Sequence, residues 1–85
     1  MKIKEGMIVR HVMDTDIVID VTGSFSGVMK LNPTSLEIWN GVAAGKSVRE
    51  IALALTQQYE VTGEKALSDV ECFCGDMVAQ GFFEA

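Results

Sequence analysis

The side chains best suited to metal binding or nucleophilic chemistry are Cys72, Cys74 and His11, which is the only histidine of the chain. The cysteines are two residues apart in a segment with helical periodicity, so their side chains point about 200° apart and a disulfide between them is disfavoured. The sequence has no second cysteine pair to complete a zinc site. We therefore interpret both cysteines as reduced thiols and His11 as a sheet-surface residue without a catalytic role.

Three aspartates, Asp14, Asp16 and Asp20, are spaced in a way that suggests a calcium-binding loop. An EF-hand loop requires glycine at its sixth position and glutamate at its twelfth. Counted from Asp14, these positions hold Ile19 and Phe25. The aspartates are therefore interpreted as turn-forming and solubilising residues.

The glycines at 23 and 27 do not form a phosphate-binding loop, because no lysine followed by serine or threonine has the required spacing and a strand is predicted next. No group of residues in the sequence has the composition of a catalytic site. The sequence therefore predicts a protein that is not an enzyme and has no cofactor.

Size and charge limit the possible functions further. The chain has 85 residues, 48% of them hydrophobic, and a net charge of −5. This predicts one domain over residues 1–85 with a densely apolar core. This negative charge disfavours nucleic-acid binding, because sequence-independent binding to the phosphate backbone requires clustered Lys and Arg. No apolar run approaches the roughly 18 residues of a membrane span, and no signal-peptide core is present, so a cytoplasmic protein is expected.

Alternating apolar and polar residues predict three strands in the first 31 residues. The stretches 7–12 and 16–21 form a predicted hairpin with a turn at 14–16, and a third strand is predicted over 25–31. The alternation gives each strand two different faces, as in a sheet covered on one side. In the second strand one face holds Ile17, Ile19 and Val21, and the other holds Asp16, Val18 and Asp20. In the third strand one face holds Gly27, Met29 and Leu31, and the other holds Ser26, Val28 and Lys30.

From residue 32 onward the apolar residues recur at spacings of three and four, which is typical of helices. Two residues are candidate caps of the first helix. Asn32 is followed by Pro33, and Thr34 has Glu37 in the position of a capping box. Gly45 is predicted to end this helix in a left-handed conformation.

Two further helices follow after short connections. Ser47 and Glu50 predict a capping box at the start of the second helix, whereas Thr62 is the predicted cap of the third and Gly81 its end. Helices are therefore predicted over about 33–81.

Three strands followed by three helices predict an α+β fold in which a three-helix bundle packs on one face of an antiparallel sheet. This order resembles a winged helix-turn-helix. A recognition helix for DNA would present Arg, Lys, Asn or Gln outward, whereas the outer surfaces of the second and third helices are mostly acidic. Nucleic-acid binding is kept as an alternative function, but the expectation is that none is bound.

Several dispersed motifs resemble the pyrroloquinoline quinone (PQQ) biosynthesis protein D family. They are L-N-P-T-S-L-E-I-W at 31–39, Gly45, S-V-R-E-I-A-L-A-L at 47–55, Y-E-V at 59–61, D-V-E-C-F at 69–73, and Gly81 before a pair of phenylalanines. The match covers about residues 25–83 well. The first two strands fit the family by pattern only.

The resemblance implies a recognition element for precursor peptides, with no catalytic activity of its own. Such a domain binds the leader of a ribosomally made peptide and presents it to a modifying enzyme, often a radical S-adenosylmethionine (SAM) enzyme. The leader adds as an extra strand beside the third strand, in a groove whose other wall is the third helix. The absence of proline and the single charge in 26–30 leave this strand edge poorly protected, as such binding requires.

The resemblance and the helical angles together give a candidate peptide-binding site. If Val70 and Met77 point to the core, one flank of the third helix carries Asp69, Phe73 and Asp76, and the other carries residues such as Glu71. We predict that the first flank lines the groove. Lys30 and Lys65 are predicted to meet acidic residues of the leader. The candidate site residues are Ser26, Gly27, Val28, Met29, Lys30, Leu31, Lys65, Asp69, Phe73 and Asp76.

Other functions remain open at this stage. The segment S-F-S-G-V-M-K before Leu31 lacks an aromatic residue expected in many family members, so the peptide could belong to a pathway other than PQQ biosynthesis. The exposed strand could also pair with a second copy in a homodimer, or be covered by the third helix. A generic protein-protein adaptor is a further alternative.

Overall fold

The computed structural model describes residues 1–23 and 28–84. Its elements in chain order are β1 (Lys2–Ile3), β2 (Met7–Val12), β3 (Thr15–Asp20), β4 (Met29–Leu31), α1 (Pro33–Ala43), α2 (Val48–Gln58), α3 (Gly63–Gln80) and β5 (Phe83–Glu84). Strands β2, β3 and β4 form an antiparallel sheet in that order, and the helices follow it. The predicted α+β architecture, with its winged-helix order of elements, is confirmed.

The predicted β2–β3 hairpin is confirmed and β2 has its predicted bounds, but β3 lies one residue before the predicted 16–21 and the turn differs. Val12 lies opposite Thr15, so the loop consists of Met13 and Asp14, and the prediction of a turn at 14–16 was wrong by one residue. Met13 has a φ of 57°, as the first central residue of a two-residue hairpin often does. The sequence did not indicate this turn, because glycine is the usual residue at such a position and the chain has methionine there.

Met13 offers a test of this turn, because its side chain is 89% exposed and loses little packing when it is replaced. Met13→Gly should raise the free energy of unfolding by about 0.5–1 kcal/mol, since glycine adopts positive φ without the cost that a side chain imposes. Urea unfolding followed by circular dichroism measures the change. Met13→Val should lower the midpoint, because a branched side chain fits this conformation worst. A lower midpoint for Met13→Gly would contradict the assigned turn.

The helices cover the sheet face that contains Val18, which is 1% exposed. Met7 and Val9 on β2 and Met29 on β4 pack against the core from the same face. Asp20 shares this face and is 8% exposed; its carboxylate accepts hydrogen bonds from the backbone N–H and the hydroxyl of Thr22 at 2.8 and 2.5 Å. The apolar residues of all three strands together determine which face is covered, and the isoleucines of β3 lie on the opposite face.

The helix termini follow the capping signals in the sequence. Asn32 is the cap of α1, with its side chain accepting a hydrogen bond from the N–H of Ser35 at 2.8 Å, so Thr34 is not the cap. Ser47 and Glu50 form the predicted capping box, in which hydrogen bonds from Ser47 lower the pKa of Glu50. Thr62 caps α3 through the N–H of Lys65. Gly45 has the predicted left-handed conformation, with a φ of 79°, and Gly81, the predicted end of α3, has a φ of 87°.

A two-stranded ribbon of β1 and β5 was not predicted from the sequence. Ile3 lies opposite Phe83, and the N–H of Lys4 donates to the C=O of Phe82 at 2.8 Å. Phe82 and Phe83 are 1% and 3% exposed, and the ring of Phe83 lies 5.2 Å from that of Trp39. The ribbon therefore fixes the start of the chain to the end of α3 and closes the core.

Ile38 and Trp39 of α1 lie in the core, with 2% and 3% of their surface exposed. Cys74 is buried among core residues, and its burial raises the pKa of the thiol, whereas Cys72 is exposed. Both are free cysteines, as predicted. None of the helices in the described ranges is long and apolar enough to span a membrane.

Candidate functional site

Strand β4 is at one edge of the three-stranded sheet. It pairs with β3 through Asp16↔Leu31, Ile17↔Lys30 and Val18↔Met29. Within residues 1–23 and 28–84, no strand pairs with its other side. This edge is therefore available for a further strand, which is the structural requirement for binding a peptide by β-augmentation.

The register shows which backbone groups of β4 point toward the free side. The N–H of Val21 donates to the C=O of Gly6 at 2.9 Å, one step beyond the Met7↔Asp20 pair. In an antiparallel ladder, hydrogen-bonded and non-hydrogen-bonded pairs alternate. Counting back from Val21, Ile19, Ile17 and Thr15 of β3 therefore direct their backbone groups to β2. The residues between them, including Val18, direct theirs to β4.

This alternation separates the roles of the residues in β4. Met29 and Leu31 lie opposite Val18 and Asp16, so they form the hydrogen bonds to β3. Lys30 directs its N–H and C=O away from the sheet. The same alternation predicts that the backbone groups of Val28, just before β4, also point outward.

The side chains of the predicted strand site divide between the core and the surface. Leu31 is 5% exposed and lies in the core, while Met29 is half-buried against it. Lys30 is exposed, and Val28 is 56% exposed. The remaining two predicted residues, Ser26 and Gly27, lie outside the described residues.

The two flanks of α3 lie in different surroundings. Leu67, on the flank of Glu71, lines a cavity of about 460 Å³ together with Ala52 and Leu53 of α2. Asp69, on the other flank, lines a cavity of about 130 Å³ with Thr34, at the beginning of α1. The Asp69 flank therefore faces the beginning of α1, which follows β4 after a single residue.

The predicted residues of α3 occupy this flank in different ways. Lys65 and Asp69 form an ion pair of 2.8 Å one helical turn apart, with both side chains substantially exposed. Phe73 is half-buried, and its ring packs edge-to-face on Phe83 at 6.2 Å. Asp76 is exposed. Lys65 thus has an intramolecular partner, and a leader carboxylate would compete with Asp69 for it.

Sequence reasoning missed the residues that line the cavity beside Asp69 together with the core residues Leu55 and Ala66. They are Thr34, Tyr59 and Val61. Val61 had been assigned to no site, although its position just before the cap of α3 signals a hydrophobic contact with the first turn of that helix. Thr34 reaches the cavity because Asn32 supplies the cap of α1.

The described residues contain no group of three or more His, Cys, Asp or Glu side chains that could hold a metal ion. They also contain no buried side-chain nitrogen or oxygen without a hydrogen-bond partner. The edge of β4 that is unpaired within the described residues can therefore bind an extended chain through backbone hydrogen bonds.

These features define the class as a small α+β domain of winged-helix order with an unpaired strand edge. A family model described as coenzyme PQQ synthesis protein D (PqqD) matches residues 13–82. The chain belongs to the PqqD family.

Two solved structures share the fold. One is described as TbiB1 in complex with the TbiA(beta) leader peptide, with a TM-score of 0.87, 21% identity, and coverage of 100% of this chain and 96% of the other. The second is described as lasso peptide synthetase B1 complexed with the leader peptide, with a TM-score of 0.87, 20% identity, and coverage of 99% and 96%. No curated protein sequence matches the chain.

Proposed function

We propose that this protein binds the leader of a ribosomally made precursor peptide by strand addition at β4 and delivers it to a modifying enzyme. The observation that carries the proposal is the free edge of β4, where Lys30 directs its N–H and C=O outward. Membership of the PqqD family and the leader-bound structures of the same fold support it.

The bound peptide would lie between β4 and the Asp69 flank of α3. Backbone hydrogen bonds to Lys30 and Val28 would supply much of the affinity, and side-chain pockets would supply the selectivity. The half-buried ring of Phe73 offers an apolar contact. The exposed ammonium of Lys30 would add roughly 0–1 kcal/mol with a leader carboxylate, because exposed ion pairs are weak.

The chemistry of the pathway would reside in the partner enzyme, of which a radical SAM enzyme is one candidate class. The protein itself would act as a peptide chaperone without catalytic activity, in the cytoplasm where the precursor is made. Nucleic-acid binding is less favoured, because α3 carries four carboxylates against one lysine and Arg49 is the one cation of α2.

The proposal is tested with fluorescein-labelled peptides that correspond to the N-terminal halves of short peptides encoded near the gene. Fluorescence anisotropy should give a dissociation constant from micromolar to sub-micromolar, or about 8–9 kcal/mol of binding free energy. On binding, the amide of Lys30 should gain protection from hydrogen exchange. The amides of Met29 and Leu31 should already be protected in the free protein, because they bond to β3. Saturable binding without new protection at Lys30 would overturn the strand-addition mode.

Charge reversal on α3 tests which flank lines the peptide site. Asp69→Lys and Asp76→Lys should each change the leader affinity by about 2- to 5-fold, as expected for charges at a solvent-exposed rim. Glu71→Lys, on the flank that leads to α2, is the matched control and should leave the dissociation constant unchanged. A response of Glu71→Lys alone would assign the site to the other flank.

A further inference from the structure

The three-stranded sheet has a second face, opposite to the helices, which carries exposed apolar residues. We call it the outer face. Its paired residues are Ile8, Arg10, Val12, Thr15, Ile17, Ile19 and Lys30, and alternation from Lys30 assigns Val28 to the same face. Ile8, Val12 and Val28 are 37%, 49% and 56% exposed, and Ile17 and Ile19 are half-buried.

The register makes these side chains neighbours. Ile8 lies opposite Ile19, and Arg10 lies opposite Ile17. Ile17 in turn lies opposite Lys30 on β4. Single exposed apolar residues are ordinary, whereas a contiguous group on one surface indicates an interaction site.

The charge of the outer face differs from that of the whole chain. Arg10 and Lys30 lie on either side of Ile17 in one row across the sheet. The outer face has no carboxylate among the strand residues that the structure describes, although the chain has 12 Asp and Glu against 7 Lys and Arg. The outer face is therefore an apolar surface with a local positive charge on an acidic protein.

We propose that the outer face is the docking site for the peptide-modifying enzyme, through an apolar patch of that enzyme that carries carboxylates. This rests on the proposed function, which requires such an enzyme partner. Opposite charges at the rim orient the two proteins, and contact between apolar centres supplies the affinity.

The positive charge of the outer face argues against two other partners, a second copy of the chain and a nucleic acid. Two outer faces packed on each other about a two-fold axis would bring the cations of one copy toward those of the other, with no carboxylate between them. Two cations are also few for a nucleic acid, whose tight binding requires many phosphate contacts.

The position of the outer face suits delivery of the peptide. The outer face ends at β4, so a peptide strand added to that edge would extend the same sheet. An enzyme docked on the outer face would then lie directly beside the bound peptide.

The test uses the purified modifying enzyme encoded near the gene, immobilised for biolayer interferometry, and the full chain as analyte. Ile8→Glu and Arg10→Glu should each weaken enzyme binding by at least about tenfold, because they place a carboxylate against an acidic partner. Both residues lie on β2, the strand farthest from β4, so the affinity for the labelled leader peptide should change by less than about twofold. Circular dichroism and leader binding together establish that each variant is folded.

Leu53→Glu is the matched control, since Leu53 is a 60% exposed apolar residue on α2 and lies away from the outer face. An equal loss of enzyme binding in Leu53→Glu, or no loss in Ile8→Glu, would overturn the proposal. Two other results would also overturn it. One is a wild-type dimer, seen by analytical ultracentrifugation, that Ile8→Glu dissociates. The other is wild-type binding to phosphatidylglycerol vesicles that Arg10→Glu abolishes. Absence of any wild-type binding to the enzyme, with and without the leader peptide, would also overturn it.

Failure of the proposed function gives a different result. If no leader peptide binds while enzyme binding still depends on Ile8 and Arg10, strand addition at β4 is wrong and the docking site is supported.

Discussion

Replacing Val28 with proline is expected to weaken leader binding by at least about 30-fold, or roughly 2 kcal/mol, while the chain remains folded. Proline removes the N–H that Val28 would donate to an added strand, and its ring occupies the space where that strand would approach. The fold should persist because Met29 and Leu31 make the hydrogen bonds between β4 and β3. Fluorescence anisotropy with the labelled leader peptide measures the loss.

Two variants separate the backbone contribution from other causes. Val28→Ala keeps the N–H and should retain most of the affinity. His11→Pro puts proline on the opposite edge of the sheet, at an exposed residue of β2 whose backbone points away from β3, and should not alter leader binding. An unchanged dissociation constant in a folded Val28→Pro variant would refute strand addition at β4.

The elements that were predictable from the sequence depend on short-range physical chemistry. Ser47 and Glu50 are three residues apart and satisfy each other's backbone N–H groups, so the start of α2 is visible in the sequence. The choice between Asn32 and Thr34 was not predictable in this way. Both are good caps, and only the path of the chain from β4 into α1 decides between them.

Long-range contacts account for what the sequence did not predict. The ribbon of β1 and β5 joins residues about 80 positions apart, such as Ile3 and Phe83, and strands of two residues have no detectable periodicity. The covered face of the sheet is also a collective property. On β3, Val18 shares its face with two aspartates, Asp16 and Asp20. This face is nevertheless buried, because β2 and β4 contribute Val9, Met29 and Leu31 to the same side.

The candidate site was predictable to a similar degree. Alternation along the third strand correctly separated the core-facing Met29 and Leu31 from Lys30 and Val28. The helical angles divided α3 into two flanks but did not relate either flank to a neighbouring element. That relation comes from tertiary structure, which puts Leu67 at a cavity with α2 and Asp69 at a cavity with the beginning of α1.

Truncation of Trp39 to alanine is expected to lower the free energy of unfolding by about 3–5 kcal/mol, the usual cost of removing a large buried aromatic side chain. Trp39 is 3% exposed and packs its ring on Phe83 at 5.2 Å and on Phe82 at 6.4 Å. It therefore joins α1 to the ribbon that fixes the chain ends. A domain of 85 residues has a total stability of roughly 4–13 kcal/mol, so this single change would remove a large part of it.

Urea unfolding must be followed by circular dichroism, because Trp39 is the only tryptophan. Trp39→Phe should lose less than half as much as Trp39→Ala, since it keeps a ring against the two phenylalanines. Leu53→Ala, at a 60% exposed position, should change stability by no more than about 0.5 kcal/mol. A loss below about 1 kcal/mol in Trp39→Ala would mean that the ribbon does not depend on this contact. The core would then have to be held chiefly by the packing of α2 on α3.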